Sequence, residues 1–142
     1  MPTSDSPSSF PSPSFTPKKL TPVIPVEAIE PLLPFWRDRL GFEVTAEVPH
    51  DDALGFVILN RGGAELMLQT WDSIQADDEG VAGAVTPGTA VVFLEVDSID
   101  AVEGALEGLE LLVPRRQTFY GSTEVWVTAP DGTVVGFAEF GG

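Results

Sequence analysis

Three short blocks of this chain return, in the same order, in its second half. Val26-Glu27-Ala28-Ile29-Glu30 is matched by Val96-Asp97-Ser98-Ile99-Asp100. Gly41-Phe42-Glu43-Val44 is matched by Gly108-Leu109-Glu110-Leu111, and Gly63-Ala64-Glu65-Leu66 by Gly132-Thr133-Val134-Val135. The stretch Phe56–Trp71 also has the layout of Thr123–Phe140: a β run, a tight turn and a second β run. An internal repeat constrains a fold more than any local propensity, because both copies must reach the same structure and then bury what each leaves bare.

Each copy reads as β-α-β-β-β. In the first, Leu20–Val26 is a strand that Pro22 and Pro25 restrict to an edge. Ile29, Leu32, Leu33, Trp36 and Leu40 then recur at helical spacing. Pro31 suits a first turn, Pro34 delays or kinks the helix, and Gly41 ends it. Strands follow at Phe42–Val48, Gly55–Asn60 and Ala64–Gln69, with His50-Asp51-Asp52 as a loop. Residues 73–88 form a polar, Gly-containing connector.

In the second copy Thr89–Val96 is a strand and Asp97 or Ser98 caps a helix with Ile99, Val102, Leu106 and Leu109 on its buried stripe. Leu111–Pro114 is a strand and Arg115–Gly121 a loop. Thr123–Thr128 and Thr133–Glu139 form a hairpin closed by Pro130-Asp131-Gly132, residues with the turn chemistry to do it. The fold class is α+β, with two tandem modules, 19–72 and 89–142, forming one domain over 19–142. Residues 1–18 are rich in Ser and Pro and read as a disordered, dispensable tail, against which stand only its two aromatics, Phe10 and Phe15, which could dock on its own domain or on a neighbour.

Composition narrows the function classes. The formal net charge is −15, which argues against nucleic acid and anionic membranes as partners. With no cysteine in 142 residues, disulfides, thiolate metal sites and a cysteine nucleophile are excluded. The lack of cysteine and of an export signal favours the cytoplasm.

Several residues, taken in order, resemble the vicinal-oxygen-chelate superfamily, the glyoxalase, bleomycin-resistance and extradiol-dioxygenase group. They are Pro22-Val23-Ile24-Pro25-Val26, Phe35-Trp36-Arg37 with Arg39-Leu40-Gly41-Phe42, Glu65-Leu66-Met67-Leu68, Tyr120-Gly121, Pro130-Asp131-Gly132 and Gly136-Phe137. The resemblance spans about Leu20 to Phe140. It implies paired modules whose curved sheets wrap a central cavity, and a homodimer, in which some members exchange modules between chains.

Metal-using members of that group carry His or Glu at the start of each module's first strand and in the middle of each last strand. Carried onto this chain, those positions are Thr21, Met67, Val91 and Gly136. None supplies the imidazole, carboxylate or thiolate that a divalent transition metal needs. His50, the only histidine, reads as a solvated loop residue beside Asp51 and Asp52. The expectation is no metal and no other cofactor.

Alternation along strands identifies the cavity lining. With Leu66, Leu68, Val135 and Phe137 under the helices, Glu65, Met67, Gln69, Val134 and Gly136 face the other way. The same parity turns Thr21 and Val23, then Val91, Phe93 and Glu95, inward from the first strands. Glu124 and Trp126 follow if Val125 and Val127 are core. Phe119 and Tyr120 sit in a loop with the makings of a lid. Arg115 and Arg116 read as a solvated pair.

An aromatic, apolar lining with a few carboxylates suits a flat, cationic small molecule. The expected function is therefore metal-independent sequestration of such a compound, with an enzyme doubtful. The alternatives are a lyase, isomerase or dioxygenase of the same group, and a ligand-free structural or regulatory dimer.

Overall fold

The computed structural model describes residues 13–141. Most of the Ser/Pro-rich tail, Phe10 included, lies outside them, while Phe15 is exposed. Two four-stranded sheets carry the fold. The first contains β1 (Val23–Val26), β2 (Glu43–His50), β3 (Ala53–Arg61) and β4 (Ala64–Thr70), in the order β1-β4-β3-β2. The second contains β5 (Val91–Glu95), β6 (Leu111–Gln117), β7 (Ser122–Thr128) and β8 (Val134–Phe140), in the order β5-β8-β7-β6. In each, the first strand runs parallel to the last and the other pairs are antiparallel.

The duplication extends to register. Val23 pairs with Met67 and Met67 with Ile58, as Phe93 pairs with Gly136 and Gly136 with Trp126. Both module helices run into a glycine in the left-handed region, Gly41 at φ 76° and Gly108 at φ 89°. A left-handed turn there needs a residue without a Cβ, so the repeated glycines are structural.

One face of each sheet is dry. Val57, Leu59, Leu66 and Leu68 from the first sheet join Val125, Val127, Val135 and Phe137 from the second in a single core cluster with Trp36, Phe42, Ile99 and Leu106. Each such side chain contributes about 1.5–3 kcal/mol on burial. Arg39 also ties the modules together, since its guanidinium donates to the carbonyls of Ala105 at 3.3 Å and Glu107 at 2.8 Å. These lie at the end of helix α3 (Ile99–Ala105), where carbonyls lack helical partners. Arg39→Ala is expected to cost about 1 kcal/mol, read as a lower midpoint in chemical denaturation with an unchanged slope.

Several expectations need correction. The first-module helix is a 3₁₀ turn, Glu30–Leu32, followed by a π-helix, Pro34–Arg39. Pro34 has no N–H, so the regular ladder breaks there, and Leu40 N–H reaches back five residues to Phe35 O. β1 begins at Val23, which leaves Thr21 just before the strand. His50 is the last residue of β2 and half-buried, and the turn is made by Asp51 and Asp52, with Asp51 at φ 56°.

The stretch read as a connector holds two short helices, α1 (Trp71–Asp77) and α2 (Glu79–Ala82). The Thr70 hydroxyl accepts from Ser73 N–H and the Asp78 carboxylate from Gly80 and Val81 N–H, so each helix has a side-chain N-cap. β6 runs on to Gln117, so Arg115 and Arg116 belong to a strand rather than a loop. No helix among the described residues is long and apolar enough to cross a membrane.

Candidate functional site

Strand alternation puts the strand residues expected to line a cavity on the sheet faces opposite the core. On the first sheet, Val23, Met67 and Ile58 stand side by side, as do Pro25, Gln69 and Phe56. On the second, the rows are Val91, Val134 and Thr128; Phe93, Gly136 and Trp126; and Glu95, Ala138, Glu124 and Arg116. Both faces are open in the single chain, with Val23 47%, Phe93 51% and Val91 63% exposed. Concavities of about 910 Å³ and about 300 Å³ lie elsewhere, the larger beside His50, Asp51 and the α1–α2 turn.

On the first sheet the polar centre is Glu65. Its Oε1 accepts from Thr21 Oγ1 at 2.7 Å and pairs with Lys19 Nζ at 2.8 Å, and its Oε2 accepts from Asn60 Nδ2 at 3.0 Å. The hydrogen bond from Lys19, with those from Asn60 and Thr21, outweighs the opposing effect of burial and holds the carboxyl down at about 2. Lys19 and Asn60 were not anticipated from the sequence. The pairing of Asn60 with Glu65 across the hairpin follows only once the β3–β4 register is known.

On the second sheet the centre is Glu124, which is fully buried. Burial pushes its carboxyl up. Hydrogen bonds from Trp126, Tyr120, Ser122 and Arg116 outweigh that and hold it down at about 2. Trp126 Nε1 donates to Oε1 at 3.0 Å and Arg116 to the same oxygen at 3.2 Å. Tyr120 Oη and Ser122 Oγ each donate to Oε2 at 2.8 Å.

Two expectations change here. Arg115 and Arg116 are both exposed, as read, but each has a specific partner, Arg116 the buried Glu124 and Arg115 the side chains of Asp100 and Glu103. The carboxylates expected to greet a cation are already balanced, Glu65 by Lys19 and Glu124 by Arg116. Glu95 is the exposed acid of this face. In the lid loop, Tyr120 is tethered to Glu124, while Phe119 is 99% exposed and packs edge-on against Tyr120.

The four positions of the metal-using pattern do not fit a divalent ion. The Thr21 hydroxyl is committed to Glu65, Met67 offers a weak thioether, and Val91 has no donor. At Gly136 a Cβ would come within 2.6 Å of the Trp126 ring, so the indole fills the space a ligand side chain would need. Among the described residues, no three His, Asp or Glu side chains converge as a metal cluster.

Comparison with known proteins agrees with this architecture. No curated protein sequence matches the chain. A Nocardioides glyoxalase/bleomycin resistance protein/dioxygenase superposes with a TM-score of 0.69 at 18% identity, over 89% of this chain and 86% of its own. TnmS3, an antibiotic binding protein from Streptomyces sp. CB03234, gives 0.66 at 21% identity, over 85% and 93%. A lactoylglutathione lyase from Agrobacterium tumefaciens gives 0.68 at 22%, over 87% and 95%. At these identities the likeness shows the fold alone. The family model of the Glyoxalase/Bleomycin resistance protein/Dioxygenase superfamily matches residues 20–137. With the duplicated register and both sheets in place, the chain belongs to that superfamily.

Proposed function

We propose that this protein is a metal-independent member of its superfamily that sequesters a small, flat-ringed compound on the outer faces of its sheets and works as a homodimer. The observation that carries the reading is the occupation of the four ligand positions by Thr21, Met67, Val91 and Gly136, with the Trp126 ring across the last of them. TnmS3, of like fold, is an antibiotic binding protein, which lends the reading a precedent. The exposed Val23, Val91 and Phe93 leave apolar surface for a ligand or a second copy to cover.

The lyase or isomerase alternative has a structural relative in the lactoylglutathione lyase. Its metal-free variant needs a carboxylate base poised near neutrality. Glu65 and Glu124, held at about 2 with their oxygens occupied, are poor candidates.

Elemental analysis of freshly purified protein separates the proposal from the metal-dependent form of that alternative. The expected result is divalent metal far below one ion per chain. One tightly held ion per chain overturns the proposal. Titration with bleomycin-type and other aromatic compounds, followed by tryptophan fluorescence, is expected to show saturable quenching, and light scattering is expected to give twice the chain mass.

A further inference from the structure

Trp126 is fixed at both ends. Its Nε1 donates to Glu124, while its six-membered ring lies where any side chain at 136 would stand. Phe93, across Gly136 in the same row, has its ring centroid 5.9 Å away at an interplanar angle of 40°. Two aromatic rings thus share one open face, and one of them is immobilised before any ligand arrives. Pre-set rings bind flat partners well because little side-chain freedom remains to be lost.

The charge around this platform is spent. Glu124 is buried and shared among four donors, Arg116 included. Glu95, one row from Phe93, is exposed, where water and salt weaken its field. The overall charge of −15 draws cations from a distance without selecting among bound rings.

We infer that Trp126 and Phe93, over Gly136, form a stacking platform for one flat, unsaturated ring system whose charge has little bearing on affinity. Glu124 is a positioning residue that aims the indole, and not a counter-ion. The inference rests on the metal-independent binding reading above and names what that binding selects.

The test is calorimetric titration of the full chain with acridine, neutral at about pH 8, and with its cationic twin 10-methylacridinium, in about 0.15 M salt. The two dissociation constants are expected to agree within about threefold, and Trp126→Ala to weaken both by about tenfold or more. Gly136→Ala, which pushes on the ring, is expected to weaken both and to change the near-ultraviolet circular dichroism. Glu124→Gln keeps an acceptor for the indole and is expected to weaken both alike, by less than about tenfold. Glu124→Leu, also neutral, is expected to lose both.

A cation preference above about tenfold that disappears in Glu124→Gln overturns the inference, because a counter-ion behaves that way. Binding that ignores Trp126→Ala also overturns it, yet leaves metal-independent binding intact. If neither acridine binds while other compounds of the panel do, the platform is wrong and the broader function stands. If nothing binds, both fall.

Discussion

Trp36→Ala is expected to lower the melting temperature by roughly 10–20 °C, from a loss of about 3–5 kcal/mol. Trp36 is fully buried in the π-helix and packs edge-on between Phe35 at 5.2 Å and Phe42 at 5.3 Å. Its removal opens a cavity where the first helix meets its sheet. A domain of this size has only about 5–15 kcal/mol in hand, so much of its stability would go. Trp36→Phe should cost far less. Trp36 Nε1 is buried with no hydrogen-bond partner among the described residues, and phenylalanine removes that unmatched donor while keeping most of the ring volume. Thermal melts of the two variants check the contrast. Equal losses would mean that ring volume matters less at this position than argued.

Acid should expose the role of Glu124. Its folded carboxyl sits at about 2, below the ordinary 4.5. A depressed value favours the ionised form in the folded state, so its contribution is fully present above about pH 4.5 and is lost as pH falls toward 2. Glu65 titrates in the same sense and window, but lies nearer solvent, so its share is screened. Glu124→Gln should therefore flatten the fall in stability between pH 4.5 and 2 while destabilising the protein at neutral pH. Glu124→Ala, which leaves the buried Ser122 hydroxyl and the half-buried indole N–H without their acceptor, should cost about 3 kcal/mol at pH 7. Denaturant midpoints across this range give the answer. An unchanged acid slope in Glu124→Gln would remove Glu124 as the source.

Much of the fold was legible in the residues. The repeated blocks bring Val44 opposite Leu59 and Leu111 opposite Val127, equivalent pairs in the two sheets. The inside-outside parity of β4, β7 and β8 also held, because strand alternation is fixed by the pleat. Other features escaped. Helices α1 and α2 are short and carry few buried residues, Ile74 and Ala82, so no apolar period announced them. The end of β6 was hidden by Arg115, Arg116 and Gln117, which look like loop until the acidic partners of the two arginines and the pairing of Gln117 with Thr123 are known.

The candidate site divides in the same way. That Thr21, Met67, Val91 and Gly136 are poor metal donors follows from their side-chain chemistry and needs no coordinates. That Glu124 is buried and shares its two oxygens among Tyr120, Ser122, Trp126 and Arg116 required the tertiary structure. Periodicity and spacing are properties of neighbouring residues, and the chain displays them directly. The charge state and reach of a carboxylate depend on which distant donors the sheet register brings within 3 Å or so of it. Folding alone turned Glu124 from an open acid into the anchor of an indole, and Gly136 from a missing ligand into the space that indole fills.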